Sequence, residues 1–104
     1  MTAYEKCVEA YKRIAPINLF SSYVDHVFLT NAPRGALKRD GDITVTINKA
    51  QQQVIIWCED PYEPVIRFEN FDQATAFVAG FTRDEIVIKC RAERAIRKAL
   101  NEHD

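Results

Sequence analysis

The residue pattern of this 104-residue chain predicts a single α+β domain: a three-stranded antiparallel β-meander packed with N-terminal and C-terminal helices, in the order ααβββαα. Three observations carry that prediction. Residues 42–48, DITVTIN, alternate apolar and polar side chains, the period of a half-buried strand. Residues 53–59 (QVIIWCE) and 64–68 (PVIRF) follow after connections so short that neighbouring strands must run antiparallel. Beyond Phe68 the apolar period lengthens from two to about 3.6, that of a helix.

The first element is an amphipathic helix over 3–14. Ala3, Cys7, Ala10, Tyr11 and Ile14 recur at helical spacing, and Pro16 stops the helix because the residue before a proline is pushed out of the helical region. Residues 17–30, INLFSSYVDHVFLT, fit a second helix through Phe20, Tyr23, Val24, Val27 and Phe28, although their β-branched and aromatic content also suits a strand. Residues 31–42 read as a loop punctuated by Pro33, Gly35 and Gly41.

After the meander, Asn70 and Gln73 can form a capping box. They open a helix with the stripe Phe71, Ala74, Phe77, Val78 and Phe81, closed by Gly80 in the left-handed conformation. Thr82 and Glu85 supply a second capping box for a helix over 83–101, with the stripe Ile88, Ala92, Ala95, Ile96, Ala99 and Leu100. The run EIVIK at 85–89 competes as a strand, but helix is the expectation. The expected core is Ile43, Val45, Ile47, Val54, Ile56, Phe71, Phe77, Val78, Ile88 and Ile96.

Several chemistries have no support in the sequence. Gly35, Gly41 and Gly80 stand apart, so no glycine-rich phosphate loop exists. Cys7, Cys58 and Cys90 are widely spaced, without a Cys-x-x-Cys pair, and read as buried free thiols rather than metal ligands. The histidines are His26 and His103, and Cys58 with His26 is a candidate nucleophile pair, since such pairs meet in space rather than in sequence, though nothing specific supports it. A magnesium nuclease built on a helix–βββ–helix order needs a Glu-x-Lys on the third strand, which PVIRF lacks. The expectation is no enzyme, no cofactor and no metal. No apolar run approaches the ~20 residues of a membrane span, and MTAYEKCVEAYKR lacks the apolar stretch of a secretory leader, so a cytoplasmic location is expected.

Two patterns remain. Counting from Asp72, Ala76, Gly80 and Ile86 match the Ala, Gly and apolar positions of a helix-turn-helix, whereas Thr75 and Lys89 occupy positions that should be apolar. Arg83, Lys89, Arg91 and Arg94 are its candidate phosphate contacts, with Arg97 and Lys98 beyond them. A net charge of −1 and the interspersed Asp84, Glu85 and Glu93 make nucleic acid an unlikely partner.

The second pattern is the hairpin VIIWCEDPYEPVIRF. Residues 50–72 carry a net charge of −4, and 33–49 a net charge of +2. Alternation places Val54, Ile56 and Cys58 on one sheet face, and Ile55 and Trp57, with Val65, on the other. The C-terminal helices are expected on the first face and the segments 3–14 and 17–30 on the second. Trp57, Glu59, Asp60, Tyr62 and Glu63 are the candidate contact residues for a protein partner with a basic surface, because tryptophan and tyrosine beside charges typify interface hot spots. The resulting expectation is a small non-catalytic interaction protein, of the phage or mobile-element class that includes anti-CRISPR inhibitors, blocking a nucleic-acid-binding site. A DNA-binding regulator using 71–101 is the alternative, and a homodimer through the mixed sheet face is compatible with either.

Overall fold

A computed structural model describes residues 1–19, 25–32, 41–58 and 63–102. Its elements are α1 (Ala3–Lys12), β1 (Ile17–Asn18), β2 (His26–Thr30), β3 (Ile43–Asn48), β4 (Gln53–Cys58), β5 (Glu63–Phe68), α2 (Phe71–Ala79) and α3 (Arg83–Glu102). The strands form one antiparallel sheet in the order β1-β2-β3-β4-β5. The expected three-stranded meander with four helices is therefore corrected to a five-stranded sheet with three helices among the described residues.

The difference lies in 17–30. Val27 pairs with Ile47 and Leu29 with Val45, so β2 satisfies the outer edge of β3 and buries Val27 and Leu29. A helix there would have left that edge of β3 unpaired, a liability that sheets avoid. Phe20, Tyr23 and Val24, part of the expected helical stripe, lie outside the described residues.

All three helices lie on one face of the sheet. Thr2 caps α1 in a reciprocal box with Glu5, each accepting the other's backbone N–H at 3.1 Å. Those two bonds hold the Glu5 carboxyl below its ordinary pKa. Cys7 and Tyr11 are fully buried; the Tyr11 hydroxyl donates to the Ala74 carbonyl at 2.8 Å. Arg13 donates to the carbonyls of Val78 and, at 2.8 Å, Phe81, closing the C-terminal end of α2. The N-terminal helix is thus clamped beside α2 on the face the C-terminal helices cover, and does not cover the opposite face as expected.

At the start of α2, Asn70 Oδ1 accepts the Gln73 N–H at 3.0 Å. Gly80, expected in the left-handed conformation, has φ −84° and ψ −7°. The chain leaves α2 through two short-range bonds, Gly80 N–H to Phe77 and Phe81 N–H to Val78, both 3.3 Å, so no reversal is required. The second capping box forms as expected, with Thr82 and Glu85 exchanging bonds of 3.0 and 3.2 Å, and 85–89 is helical.

The core contains Ile43, Val45, Ile47, Val54, Ile56, Phe71 and Val78. Phe77 is half-buried, its ring tilted against those of Phe68 and Phe81 at centroid distances of 5.2 and 5.4 Å. Ile88 and Ile96 are corrections: they are 62% and 54% exposed, and Leu100 is 62% exposed. The arc of α3 that enters the core is Ile86, Val87 and Cys90. The reason is position. α3 lies against the edge strand β5, so only its first turns reach the apolar core, and its later turns meet the strand through arginines. Cys7, Cys58 and Cys90 are buried and form no disulfide among the described residues.

A helix-free sheet face as candidate functional site

The register builds the opposite face row by row. Phe28, Thr46, Ile55 and Arg67 lie side by side across β2–β5; Thr30, Thr44, Trp57 and Pro64 form the next row; His26, Asn48 and Gln53 form a third. Among the described residues no helix lies on this face, and Phe28, Ile55 and Trp57 remain partly exposed while their sequence neighbours Leu29, Ile56 and Cys58 are buried. The Trp57 indole N–H donates to Thr46 Oγ1 at 3.1 Å, so the ring leans diagonally across β3. His26 Nε2 meets Asn48 Nδ2 at 2.8 Å, holding the third row together.

A β-bulge divides the predicted contact set. Ile56 pairs with Ile66 but Trp57 pairs with Pro64, so Val65 has no cross-strand partner and turns into the core at 1% exposure. Val65 is therefore not on the mixed face. The same slip turns Glu63, opposite Cys58, towards the helices, where its carboxylate meets Arg94 Nε at 3.1 Å. Trp57 and Glu63, predicted as one surface, thus face opposite sides of the sheet. Glu59, Asp60 and Tyr62 lie outside the described residues.

The alternative set is also placed. Arg94 donates to the Cys58 carbonyl and forms an ion pair with Glu63, and Arg97 donates to the carbonyls of Pro64, at 2.9 Å, and Val65. These two arginines cover the edge strand at its bulge, a protective arrangement that the sequence does not signal. Lys89 sits 4.2 Å from the Phe81 ring centroid, Arg83 is 3.6 Å from Asp84, and Arg91 is on the exposed side of α3. Ala76, the helix-turn-helix contact position, is exposed, and α2 packs on α1 and the sheet rather than on α3.

Nucleophilic chemistry gains nothing from the geometry. Cys58 is buried on the helix face while His26 is exposed on the other, so the two do not meet. Burial pushes the Cys7 thiol up, against thiolate formation. Among the described residues, no three His, Cys, Asp or Glu side chains gather as a metal site, and no helix is long and apolar enough to cross a membrane. Comparison with family models, curated proteins and solved structures finds no match to this chain.

Proposed function

We propose that this chain is a non-catalytic protein-interaction module whose partner docks on the helix-free sheet face, with Trp57 as anchor and the acidic hairpin at its margin. The observation that carries the reading is the partly exposed set Phe28, Ile55 and Trp57 on a face without a helix among the described residues. Tryptophan supplies a disproportionate share of interface energy, and a strand presents it with little loss of freedom. Charge defines the partner: the −4 of residues 50–72 suits a basic surface. Glu63 already serves Arg94, so the reading assigns Glu59 and Asp60, with Tyr62, to the partner. Basic surfaces of this kind are what nucleic-acid-binding proteins carry. An inhibitor that covers one, as anti-CRISPR proteins do, is the particular form of the proposal.

The alternative is a DNA-binding regulator using 71–101. It is the weaker reading because Arg94 and Arg97 direct their donors at strand carbonyls. Affinity capture with the immobilised chain, followed by mass spectrometry, tests the proposal. A partner held by wild type should be lost with Trp57→Ala although the variant stays folded with a stability loss of only about 1 kcal/mol, and should associate more slowly with the double variant Glu59→Lys/Asp60→Lys. A partner held equally by Trp57→Ala refutes the sheet-face reading. A salt-steep gel shift on duplex DNA, weakened by Arg91→Ala, would replace it with the alternative.

A further inference from the structure

We infer that the groove between the outer edge of β5 and α3 receives an extended acidic peptide of a protein partner, which adds to the sheet as a further strand. The main chain provides the first half of that site. The Lys49 N–H donates to the Asp25 carbonyl and the Asn31 N–H to the Ile43 carbonyl, at 2.8 and 3.2 Å. In β3 the odd-numbered residues therefore bond towards β2, and Thr44, Thr46 and Asn48 towards β4. Carried through the registers, Val54 and Ile56 bond towards β5, where their partners are Phe68 and Ile66. Arg67, between those two, turns both its N–H and its C=O outward, and neither meets a partner among the described residues. At the bulge Arg97 takes the outward carbonyls of Pro64 and Val65. Protection of the edge thus stops short of Arg67, which offers a donor and an acceptor side by side, the pair that an added strand bonds.

Side chains provide the other half. α3 runs antiparallel alongside β5: Arg97 bonds Pro64 and Val65 at one end, and at the other Lys89 lies over Phe81, which leads through Phe77 to Phe68. Between them lies a groove of about 480 Å³ with Val65, Ile66, Phe77 and Ala92 as its apolar lining. Lys89 and Arg97 outnumber Glu93 there, and the exposed Arg67 side chain adds a third positive charge at the rim. None of these three cations makes an ion pair among the described residues, and strand carbonyls leave the charge of Arg97 uncompensated. Lys89 and Arg97 stand about 12 Å apart along the helix. Positions i and i+4 of an extended strand share a face and stand about 13 Å apart. The complementary segment therefore carries carboxylates at i and i+4 and an apolar residue at i+2, which meets Phe77 and Ala92 and keeps a third carboxylate away from Glu93. Other occupants fit less well. A bare anion would leave the Arg67 carbonyl without a donor. A second copy paired edge to edge about Arg67 would set the two Arg67 side chains directly opposite each other, which is repulsive. The site is separate from the Trp57 face and takes a partner of the opposite charge.

The test is amide NMR of the isotope-labelled chain titrated with the capped peptide Ac-TETVTET-NH2. The Arg67 amide should shift most, resonances of Lys89 and Arg97 should follow, and the Trp57 indole should stay in place. The lysine counterpart Ac-TKTVTKT-NH2 should bind about tenfold more weakly or not at all, because its charge is wrong. So should the acidic peptide N-methylated at the two threonines flanking its valine, which lacks the main-chain donors that Arg67 needs. Lys89→Glu, with an otherwise native spectrum, should weaken the acidic peptide severalfold. An Arg67 amide unmoved by millimolar peptide, or equal binding of the lysine or methylated peptide, would overturn the inference. The same shifts with inorganic phosphate alone would make the groove an anion site instead. An Arg67 shift that follows protein concentration without peptide would give the edge to a second copy.

Discussion

Ile56 and Trp57 are adjacent, large and apolar, yet Ile56 is fully buried on the helix-covered side while Trp57 lies partly exposed on the other side of the same sheet. Strand geometry dictates that they part, because successive side chains point to opposite faces. Which face is covered is decided elsewhere. Helices from both ends of the chain gather on the Ile56 side, joined to each other through Tyr11, which bonds α2 at Ala74, and Arg13, which bonds its C-terminal end. Alternation thus assigns side chains to faces, and the covering of a face is a separate property that depends on remote segments.

The comparison is broken most directly by truncation. Ile56→Ala should cost ~2–5 kcal/mol, the range for a large core aliphatic, and Trp57→Ala about 1 kcal/mol for a half-buried ring and one hydrogen bond. Urea unfolding midpoints with equal m-values check this, and equal losses would place Trp57 in a second core. The same contrast repeats on α3. Ile86→Ala should cost ~2–4 kcal/mol and Ile88→Ala no more than ~0.5 kcal/mol, measured at concentrations where the chain is monomeric. Next in size is Arg94→Met, which removes the donor to the Cys58 carbonyl and the partner of Glu63. A loss of ~1–2 kcal/mol is expected, while Glu63→Gln should change little because that carboxylate is 53% exposed.

The smallest effect is acid sensitivity at the helix caps. The bonds from Thr2 and Thr82 hold Glu5 and Glu85 below the ordinary glutamate pKa. Their stabilisation is therefore fully present above about pH 4.3 and is lost as pH falls through the lowered folded values. In Thr2→Ala/Thr82→Ala the melting temperature should fall less between neutral pH and mild acid than in wild type. An unchanged slope would show that the boxes do not hold these carboxylates.

Much of this architecture was legible in local patterns. The alternation of Ile43, Val45 and Ile47, the continuous apolar run of β4, and the Thr82–Glu85 cap each encode their element within a few residues. Three features were not legible, each because it depends on a distant partner. Residues 26–30 satisfy both helical and strand patterns, and pairing with β3 decides between them. α3 carries two apolar arcs, and the more regular one, through Ile88, Ala92 and Ile96, is the exposed one. The bulge at Val65 leaves no mark in PVIRF, yet it moves Glu63 away from Trp57 and so divides the candidate site. The Trp57 face itself could be read from alternation, but not that no helix among the described residues lies over it.

The clasp between Tyr11 and Ala74 joins residues 63 positions apart, whereas every strand pair in the sheet joins neighbours along the chain. Closing that long loop costs entropy that local hairpins do not, and α1 packs mainly on α2, with a smaller contact on β2. The order of assembly follows: hairpins first, the C-terminal helices onto them, and the N-terminal helix last, as a latch over a nearly finished domain. Tyr11→Ala should therefore quicken unfolding and leave the refolding rate almost unchanged, visible as a shift of only one arm of the chevron plot. A shift confined to the refolding arm would place α1 in the nucleus. If the latch closes last, the beginning of this chain is the part of the fold that opens first.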